Sequence, residues 1–328
     1  MTSDRWADRT VAVTGGLGFI GSHFVTELLA AGARVTCLYR THKESVLREL
    51  PATGRLRLAR VDLCDTDATR AAFREIGPHV DTIVHCAALH GNAEYKTRHA
   101  ATILECDARM ALNVLGWARD DGVPEVVLQS SSVVYSGHGP GPVGEDAGHR
   151  VAEADARNGY VLAHVFTETL ADLFRHQFGM TIHVPRAANV YGPRDGFGPV
   201  ASVIPGMIRR ALAGEELEIW GDGSQTRSFV YVTDLVRATL QLVEADKYHT
   251  VNIGTEESVS IVDLARLVLS LTGRPDRVRV DPAKPAGGSG RTLELARMHD
   301  VISFSPLSLR DGLDRTIRWY RQTHRSPQ

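Results

Sequence analysis

Tyr160 and His164 are residues whose types and spacing suggest chemistry. They lie four residues apart in the segment NGYVLAHVFTETLADLF (158–174), which has the apolar spacing of an amphipathic helix. Residues at this spacing project from one helical face, so a phenol and an imidazole there can address one small molecule together. A phenol and an imidazole can both exchange protons. Such pairs also occur in ordinary packing, and the rest of the chain has to decide their role.

A glycine-rich turn, VTGGLGFIGSH (13–23), follows a predicted strand and opens a predicted helix. Gly16, Gly18 and Gly21 match the GxGxxG spacing, and Gly15 extends the match to the wider GxxGxxG spacing. Glycines there allow the backbone to approach a pyrophosphate, whose charge is stabilised at the helix N-terminus. The turn therefore predicts a dinucleotide site. Its predicted cofactor-binding residues are Gly15, Gly18, Phe19, Ile20 and Gly21.

The ends of the next strands carry the residues that would select the dinucleotide. Where an acid commonly holds the adenine-ribose hydroxyls, this chain has Arg40, with Lys43 nearby. An arginine there favours the 2′-phosphate of NADP over NAD; the alternative is that both residues are solvated loop charges. Asp62, after the third predicted strand, is expected to accept a hydrogen bond from the adenine amino group. Leu63 and Ala87 are further predicted cofactor contacts, and Tyr160 and His164 are expected to reach the same cofactor.

The composition argues against several classes of function. The formal net charge of −2 gives no electrostatic reason to expect nucleic acid or an anionic membrane surface. No segment approaches the roughly 20 apolar residues of a membrane span, and the first residues lack the pattern of a secretory signal. Four cysteines without a CxxC pair predict buried thiols in a reducing compartment, with no zinc site. We therefore expect a cytoplasmic protein without metal, nucleic-acid or membrane partners.

Short β-branched runs alternate with helical patterns through the first half of the chain, which indicates a parallel sheet with helices on both faces. The predicted strands are 10–14, 34–39, 56–62, 81–87, 125–131 and 181–186. The predicted helices are 20–31, 43–50, 66–76, 100–120 and 159–178. Glycine and proline recur in segment 136–148, which is predicted to be a loop. Segment 227–244 is predicted to rejoin the sheet.

A chain of 328 residues lies just above the size at which one core normally divides. After residue 186 the alternation breaks into shorter pieces. We therefore predict an α/β protein with a Rossmann-type, doubly wound parallel sheet and a smaller, discontinuous α/β substrate domain. The predicted dinucleotide-binding domain is 1–185 plus about 228–252, and the predicted nucleotide-sugar-binding domain is about 186–227 plus 253–328. The substrate cleft is expected between them.

Seven segments, in order and between about residues 9 and 321, resemble the extended short-chain dehydrogenases/reductases that act on nucleotide sugars, the NAD(P)-dependent epimerase/dehydratase family. They are TGGLGFIGSH, VHCAA, QSSSVVYSG, GYVLAHVFTE, RAANVYGPRD, GDGSQTRSFVYVTDL and VNIGTEESVSIVDLA. Within that family, AALHGN, VYGPRDGFGPVASVIPGMIRRAL and KPAGGSGRTLEL resemble GDP-fucose synthase more than UDP-galactose 4-epimerase. The resemblance implies a nicotinamide dinucleotide and a nucleotide-sugar substrate. We also expect a homodimer.

The resemblance implies three catalytic residues. The serine or threonine of the family falls on Ser131, which would hydrogen-bond the reacting sugar oxygen. The YxxxK tyrosine falls on Tyr160, which would exchange a proton with that oxygen. The lysine of the motif, which binds the nicotinamide ribose and holds a permanent positive charge beside the tyrosine, is replaced by His164.

That replacement weakens the expected activation of Tyr160. A free tyrosine titrates near 10, so action as a base near pH 7 requires a pKa drop of about three units, or about 4 kcal/mol. An ammonium four residues along the helix would contribute much of this, whereas a histidine is mostly neutral near pH 7 unless its own pKa is raised. We expect His164 to bind the nicotinamide ribose; the alternative is that its imidazole shuttles the proton.

The residues expected at the nucleotide sugar are Ser131, Ser132, Asn189, Trp220, Arg227 and Arg291. The resemblance places Asn189 and Arg227 near the diphosphate, where a guanidinium can clamp phosphate oxygens. Trp220 either stacks on the base or fills the core of the small domain. Arg291 either reaches the same phosphates or forms a structural salt bridge.

Departures from the family pattern argue against two reactions that other family members catalyse. Ser132 and Val133 replace the Asp-Glu pair of the 4,6-dehydratases, so water elimination lacks its acid and base. Ser132 and Arg194 replace the cysteine and histidine with which GDP-fucose synthases epimerise two ring carbons. Both reactions are therefore disfavoured.

Three functions remain. We place first a 4-epimerase, which transfers hydride reversibly at the sugar C4 and needs only a rotating keto sugar and one tyrosine. An NADPH-dependent 4-ketoreductase is the alternative, and Arg40 favours it. A dinucleotide-binding scaffold or redox sensor without turnover is the third; His164 favours it, whereas Ser131, Tyr160 and Arg227 argue against it.

Overall fold

The computed structural model describes residues 4–77, 79–198, 201–284 and 291–324; the side chains of Asp4, Ala93 and Arg291 lie outside the description. The strands are Thr10–Thr14 (β1), Arg34–Tyr39 (β2), Leu56–Arg60 (β3), Thr82–His85 (β4), Glu125–Leu128 (β5), Ser130–Ser131 (β6), Gly141–Val143 (β7), Thr181–Ala187 (β8), Asn189–Tyr191 (β9), Leu217–Trp220 (β10), Thr226–Tyr231 (β11), Thr250–Ile253 (β12), Ser258–Ser260 (β13), Val278–Asp281 (β14) and Arg291–Leu293 (β15). The α-helices are Phe19–Ala30 (α1), Glu44–Leu47 (α2), Thr66–Ile76 (α3), Ala93–Arg98 (α4), Ala100–Asp120 (α5), Gly159–Phe178 (α6), Val203–Leu212 (α7), Val232–Ala245 (α8), Ile261–Thr272 (α9), Ala296–Val301 (α10) and Leu309–Thr323 (α11).

The large sheet has the strand order β3-β2-β1-β4-β5-β8-β12, and all of its pairings are parallel. The short strand β6 also pairs with β8. From β1 the chain builds outward to β3, and it then returns to place β4 on the other side of β1. The connections after β1 and β4 therefore diverge at the carboxyl edge of the sheet, where doubly wound folds bind ligands. The predicted Rossmann-type parallel sheet is confirmed.

Apolar layers cover both faces of this sheet. Successive strand residues point to opposite faces, so Val11 and Val13 pack with α1 and α8, whereas Ala12 packs with α3, α5 and α6. All three side chains are fully buried. Strands that are covered on both faces need continuous apolar runs, which explains why TVAVT and TIVH lack polar alternation.

Two of the smaller sheets are formed by strands between residues 189 and 281. Strands β13, β11 and β9 form one of them, and β10 pairs with β14. Helices α7, α9 and α11 supply a separate core for this part, with Ile208, Leu264 and Leu313 fully buried. Segment 227–244 was predicted to rejoin the large sheet. Its strand β11 belongs to the small sheet, and β12 is the strand that joins the large one. The domain boundaries given above stay a prediction.

Several element boundaries differ from the predicted ones. Helix 43–50 is reduced to α2, whose N-cap residue Lys43 forms no side-chain cap. Strand 125–131 divides into β5 and β6, and strands 56–62 and 81–87 end earlier than predicted. The predicted loop 136–148 contains β7, which pairs with β15 about 150 residues later. Local glycine and proline signals carry no information about so distant a partner.

Candidate active site

The glycine turn between β1 and α1 is built from backbone alone. Gly15 has φ +64°, and its carbonyl accepts a hydrogen bond of 2.7 Å from the amide of Gly18. A Cβ added to Gly21 would lie 2.3 Å from that carbonyl, and one added to Gly18 would lie 2.8 Å from it. Helix α1 begins at Phe19 without a side-chain cap, which leaves its first amides available to a ligand. This arrangement fits a dinucleotide pyrophosphate.

A buried hydrogen-bond cluster holds the end of β4 against this turn. The Thr14 hydroxyl bonds Nδ1 of His85 at 2.8 Å and accepts from the amides of Cys86 and Ala87 at 3.2 and 3.3 Å. Burial lowers the pKa of His85 to about 4, so the neutral ring can accept from the hydroxyl. Ala87 thereby lies so close to Gly15 that a Cβ on Gly15 would lie 2.9 Å from its amide nitrogen.

Arg40 follows β2 at the same edge of the sheet and its side chain is exposed. Its carbonyl accepts from Nε of Arg60 at 3.3 Å, which ties the ends of β2 and β3 together. The positive charge of Arg40 lowers the pKa of the Asp107 carboxyl in α5. Burial is the larger effect on Asp107 and raises its pKa to about 7, although the Leu89 amide also donates to it at 2.9 Å.

Asp62 and Leu63 follow β3 with different environments. Asp62 is exposed, and its Oδ1 accepts from the amide of Cys64 at 3.0 Å. Leu63 is buried, and its carbonyl accepts from Nδ2 of Asn113 at 2.8 Å. An exposed carboxylate at a carboxyl strand end remains available to an adenine amino group.

Tyr160 is the second residue of α6, and close helix packing fixes its place. A Cβ on Gly159 would lie 1.8 Å from the carbonyl oxygen of Ala100, so α6 begins directly against the start of α5. Burial raises the pKa of Tyr160 to about 12, although a hydrogen bond between the Ser131 and Tyr160 side chains acts in the opposite direction. The phenol is therefore protonated at neutral pH and has its partner hydroxyl in place.

His164 lies one helical turn beyond Tyr160, with the two rings edge to face and their centroids 4.6 Å apart. Burial lowers the pKa of His164 to about 4, despite the opposing charge of Glu168. Its Nε2 is buried and has no hydrogen-bond partner among the residues that the structure describes. A neutral ring with an unpaired buried nitrogen fits a ligand hydroxyl, such as that of a nicotinamide ribose.

A buried charge network fixes α6 against β6. The carboxylate of Glu168 accepts from the Ser130 hydroxyl and from Nη2 of Arg186, the latter at 2.6 Å. Burial alone would raise the pKa of Glu168, but hydrogen bonds with His149 and Arg186 hold it at about 2. Because Ser130 precedes Ser131, this network holds the Ser131 hydroxyl within reach of Tyr160.

The other predicted substrate residues are spread along the carboxyl side of the sheet and the small sheets. Ser132 begins a 3₁₀ turn directly after Ser131. Asn189 begins β9 and pairs with Phe229, two residues beyond Arg227 in β11. Nδ2 of Asn189 donates to the Ser228 carbonyl at 2.9 Å, and Nη1 of Arg227 donates to the Thr226 carbonyl at 2.8 Å. Strand pairing thus brings the Asn189 and Arg227 segments together.

The structure describes the surroundings of the Trp220 side chain but not those of the Arg291 side chain. Trp220 ends β10 with 48 % of its surface exposed, so it does not fill the core of the small sheets. Nζ of Lys284 lies 5.1 Å from its ring centroid. Arg291 begins β15, but its side chain lies outside the described part of the chain.

Sequence reasoning missed four polar residues around this site: Thr14, His90, Lys96 and Asp107. Asp107 had a local signal, because it is an acid on the buried face of the predicted helix 100–120. Thr14 ends an apolar strand, and its register opposite His85 becomes evident only once β1 and β4 are paired. His90 and Lys96 lie within or beside α4, which was not predicted.

A family model described as the NAD-dependent epimerase/dehydratase family matches residues 11–254. The chain belongs to this family. It is 50 % identical over 322 residues to a dTDP-4-dehydro-6-deoxy-D-allose reductase of Streptomyces bikiniensis, a match that covers 98 % of this chain and 99 % of the relative.

Solved structures of related enzymes share the fold. The UDP-glucose 4-epimerase of Thermotoga maritima, solved with UDP-glucose, superposes with a TM-score of 0.84 at 26 % identity, covering 96 % of this chain and 99 % of that one. The dTDP-glucose 4,6-dehydratase of Streptomyces venezuelae, solved with NAD, gives a TM-score of 0.84 at 27 % identity, covering 95 % and 97 %.

These comparisons confirm the predicted family, an enzyme and a nicotinamide dinucleotide cofactor. Within the described residues, none of the helices combines the length and hydrophobicity needed to cross a membrane.

Proposed function

We propose that this enzyme reduces the 4-keto group of a dTDP-linked 6-deoxy sugar with NADPH. The observation that carries the proposal is the 50 % identity, across 98 % of the chain, to a reductase of that substrate class. The sequence analysis placed a 4-epimerase first and this reductase second. The likeness reverses that order, and the state of Tyr160 supports the reversal.

Reduction and epimerisation begin from different protonation states of the tyrosine. An epimerase must first oxidise the sugar alcohol, so it needs a phenolate to accept the proton. A ketoreductase needs a protonated phenol that donates to the carbonyl oxygen as hydride arrives at the carbon. The burial that raises the pKa of Tyr160 to about 12 keeps the phenol protonated at neutral pH, which suits the reductase.

The proposed reaction assigns each step to a residue of the chain. When bound, the nicotinamide supplies a hydride to C4 of the sugar. Tyr160 donates its hydroxyl proton to the 4-keto oxygen, and Ser131 hydrogen-bonds the same oxygen as its negative charge develops. Nε2 of His164, which is buried and has no partner among the described residues, is available to hold a ribose hydroxyl. Hydride and proton together convert the ketone into an alcohol.

We assign the rest of the substrate to the carboxyl side of β6, β9 and β11. Asn189 and Arg227 are proposed to hold the diphosphate, for which a guanidinium is suited. The half-exposed indole of Trp220 is proposed to stack on the thymine base. Ser132 would contact the sugar, and Arg291 is a further candidate for the phosphates.

The test is to incubate the enzyme with a dTDP-4-keto-6-deoxyhexose and NADPH. We expect stoichiometric NADPH oxidation at 340 nm and a dTDP-6-deoxyhexose product by NMR. The likeness to a solved 4-epimerase favours epimerisation as the second candidate. In that case a dTDP- or UDP-hexose would interconvert with its 4-epimer without net NADPH use, and denatured enzyme would release NAD(H).

Replacing Arg40 by alanine should weaken NADPH binding by about 10-fold or more and leave NADH binding nearly unchanged, because only NADPH offers a 2′-phosphate to the guanidinium. Dissociation constants for both cofactors measure the effect. Arg48→Ala is the matched control, because Arg48 is an exposed arginine that pairs with Glu44 four residues earlier. Equal losses for the two cofactors would identify Arg40 as a surface charge.

The homodimer is also a proposal, and helices α5 and α6 offer a face for it. Four large apolar side chains of these two helices are exposed by 37 to 58 %: Leu112, Phe166, Leu173 and Phe178. Two parallel helices with exposed apolar residues can pair with the same helices of a second copy in a closed, twofold arrangement.

A further inference from the structure

Lys96 of α4 lies over the ring of Tyr160. Its Nζ is 3.6 Å from the ring centroid, within the range of a close cation–π contact. Burial lowers the pKa of Lys96 to about 8, which leaves the amine mostly protonated at pH 7. A positive charge therefore faces Tyr160 although position 164 carries a neutral imidazole.

We propose that Lys96 supplies from α4 the positive charge that the helix position of His164 lacks, and that this charge stabilises the Tyr160 phenolate formed during sugar reduction. Lys96 is a positioning residue in this scheme, because it acts through Tyr160. The inference rests on the proposed reductase function and extends it by a residue that lies outside the YxxxK motif.

Three packing features bring Lys96 to Tyr160. The side chain of Asn92 caps α4 by accepting from the amide of Tyr95 at 2.9 Å, which fixes where the helix begins. Only His99 separates the end of α4 from the start of α5. Gly159 then lets α6 begin directly against that start of α5, so the second residue of α6 meets the face of α4 that carries Lys96.

Among the described residues, the other titratable groups around Tyr160 carry no positive charge at pH 7. The ring of His90 lies 5.5 Å from that of Tyr160, and burial lowers its pKa to about 3. His164 is likewise neutral at pH 7. Asp107 of α5 adds a negative charge as it ionises, which raises the pKa of Tyr160. Lys96 is thus the cation in this set.

The charge matters when the proton leaves Tyr160. The phenolic O–H bond breaks as a new O–H bond forms at the 4-keto oxygen, and the electron pair stays on the phenolate oxygen. An ammonium beside the ring lowers the energy of that phenolate and so strengthens the phenol as an acid. After product release, a proton from solvent restores the phenol.

The first test compares Lys96→Met with Lys96→Arg. Methionine keeps the aliphatic length without charge, so kcat should fall by about 10- to 100-fold while KM stays within about threefold. Arginine keeps a charge and should retain most of the activity. Lys247→Met is the control, since Lys247 is a half-exposed lysine paired with Asp300. An unchanged kcat in Lys96→Met would overturn the inference.

The pH profile gives a readout that a structural role would not produce. The wild-type kcat should fall as pH rises through about 8, because Lys96 then loses its proton. Lys96→Met should be slow on both sides of that pH, without this fall. Lys96→Arg should move the fall to higher pH, since a guanidinium stays protonated. If kcat of Lys96→Met fell near pH 8 as it does in the wild type, the titrating group would not be Lys96, and the inference would be contradicted.

The sharpest test restores the charge from the other helix. Adding His164→Lys to Lys96→Met should recover most of the lost kcat, because an ammonium would again lie beside Tyr160, now from one turn along α6. If the double variant folded and bound NADPH normally but did not recover kcat, a charge at position 164 could not replace that of Lys96, and the inference would be refuted.

NMR separates this inference from the proposed function. The chain has four lysines, so 13C labelling at their Cε atoms gives few signals, and Lys96→Met identifies the one from Lys96. We expect that signal to be shifted upfield by the Tyr160 ring and to titrate near pH 8; Tyr160→Leu should remove the shift. A wild type inactive on every 4-keto sugar would refute the reductase only. An unshifted Lys96 signal titrating at the ordinary lysine pKa would refute this inference only.

Discussion

Replacing Tyr160 by phenylalanine should lower turnover of the 4-keto sugar by about 100-fold or more. The change removes only the hydroxyl proposed to donate the proton, and it leaves the ring for Lys96 and His164 to pack against. Affinity for the nucleotide sugar should be nearly unchanged, because the residues proposed to hold its diphosphate and base lie elsewhere. NADPH oxidation at 340 nm gives kcat, and calorimetry with the nucleotide sugar gives the affinity.

Tyr248→Phe is the matched control for this variant. Its hydroxyl donates to Asp300 and lies apart from Ser131 and the glycine turn, so its loss should leave kcat unchanged. If Tyr160→Phe kept the wild-type rate, another group would have to be the proton donor. If it lost nucleotide-sugar binding together with turnover, the hydroxyl would have to serve mainly in binding.

Local sequence was sufficient for much of the dinucleotide half of the molecule. The strands 10–14 and 34–39 and the helices 66–76, 100–120 and 159–178 were predicted with the boundaries that the structure has. Their apolar runs and helical spacing depend on nearby residues only. The glycine turn was also recognisable locally, because its spacing already prescribes a tight strand-to-helix connection.

The environment of Tyr160 could not be read from its own segment. Lys96 lies 64 residues earlier in a short helix without a clear apolar period, and Thr14 and Asp107 come from two other elements. A pattern around residue 160 shows the histidine that replaces the lysine. It does not show a charge that reaches the same ring from another helix.

The sequence could not distinguish an epimerase from a reductase, for a related reason. Ser131 and Tyr160 can exchange a proton with a sugar oxygen in either direction, so their spacing is the same in an epimerase and a reductase. At a given pH the rate in each direction depends on the protonation state of the phenol, which burial and neighbouring charges set. These quantities exist only in the folded chain. The sequence analysis placed the epimerase first because that reaction needs only a rotating keto sugar and one tyrosine.

Replacing Gly18 by valine should raise the dissociation constant for NADPH by about 100-fold or more, because the amide hydrogen bonds at the pyrophosphate would be lost. Gly18 has φ −78°, which valine can adopt, so the effect comes from the added side chain and not from the φ angle. The added Cβ would lie 2.8 Å from the Gly15 carbonyl oxygen, at the mouth of the turn. The branched side chain would then occupy the space through which the phosphates approach α1.

The fold should survive this change, since Gly18 lies at the edge of the sheet and outside its apolar layers. Gly116→Ala in α5 is the control, because a Cβ there meets nothing within 4 Å. Calorimetry measures NADPH binding, and circular dichroism during heating measures stability. If Gly18→Val bound NADPH with wild-type affinity, the pyrophosphate could not bind at this turn. If Gly18→Val unfolds, Gly18→Ala is tested in its place, because its single methyl group still opposes the phosphates. Normal folding and normal NADPH affinity in Gly18→Ala would show that neither the turn nor the ligand requires glycine at this position.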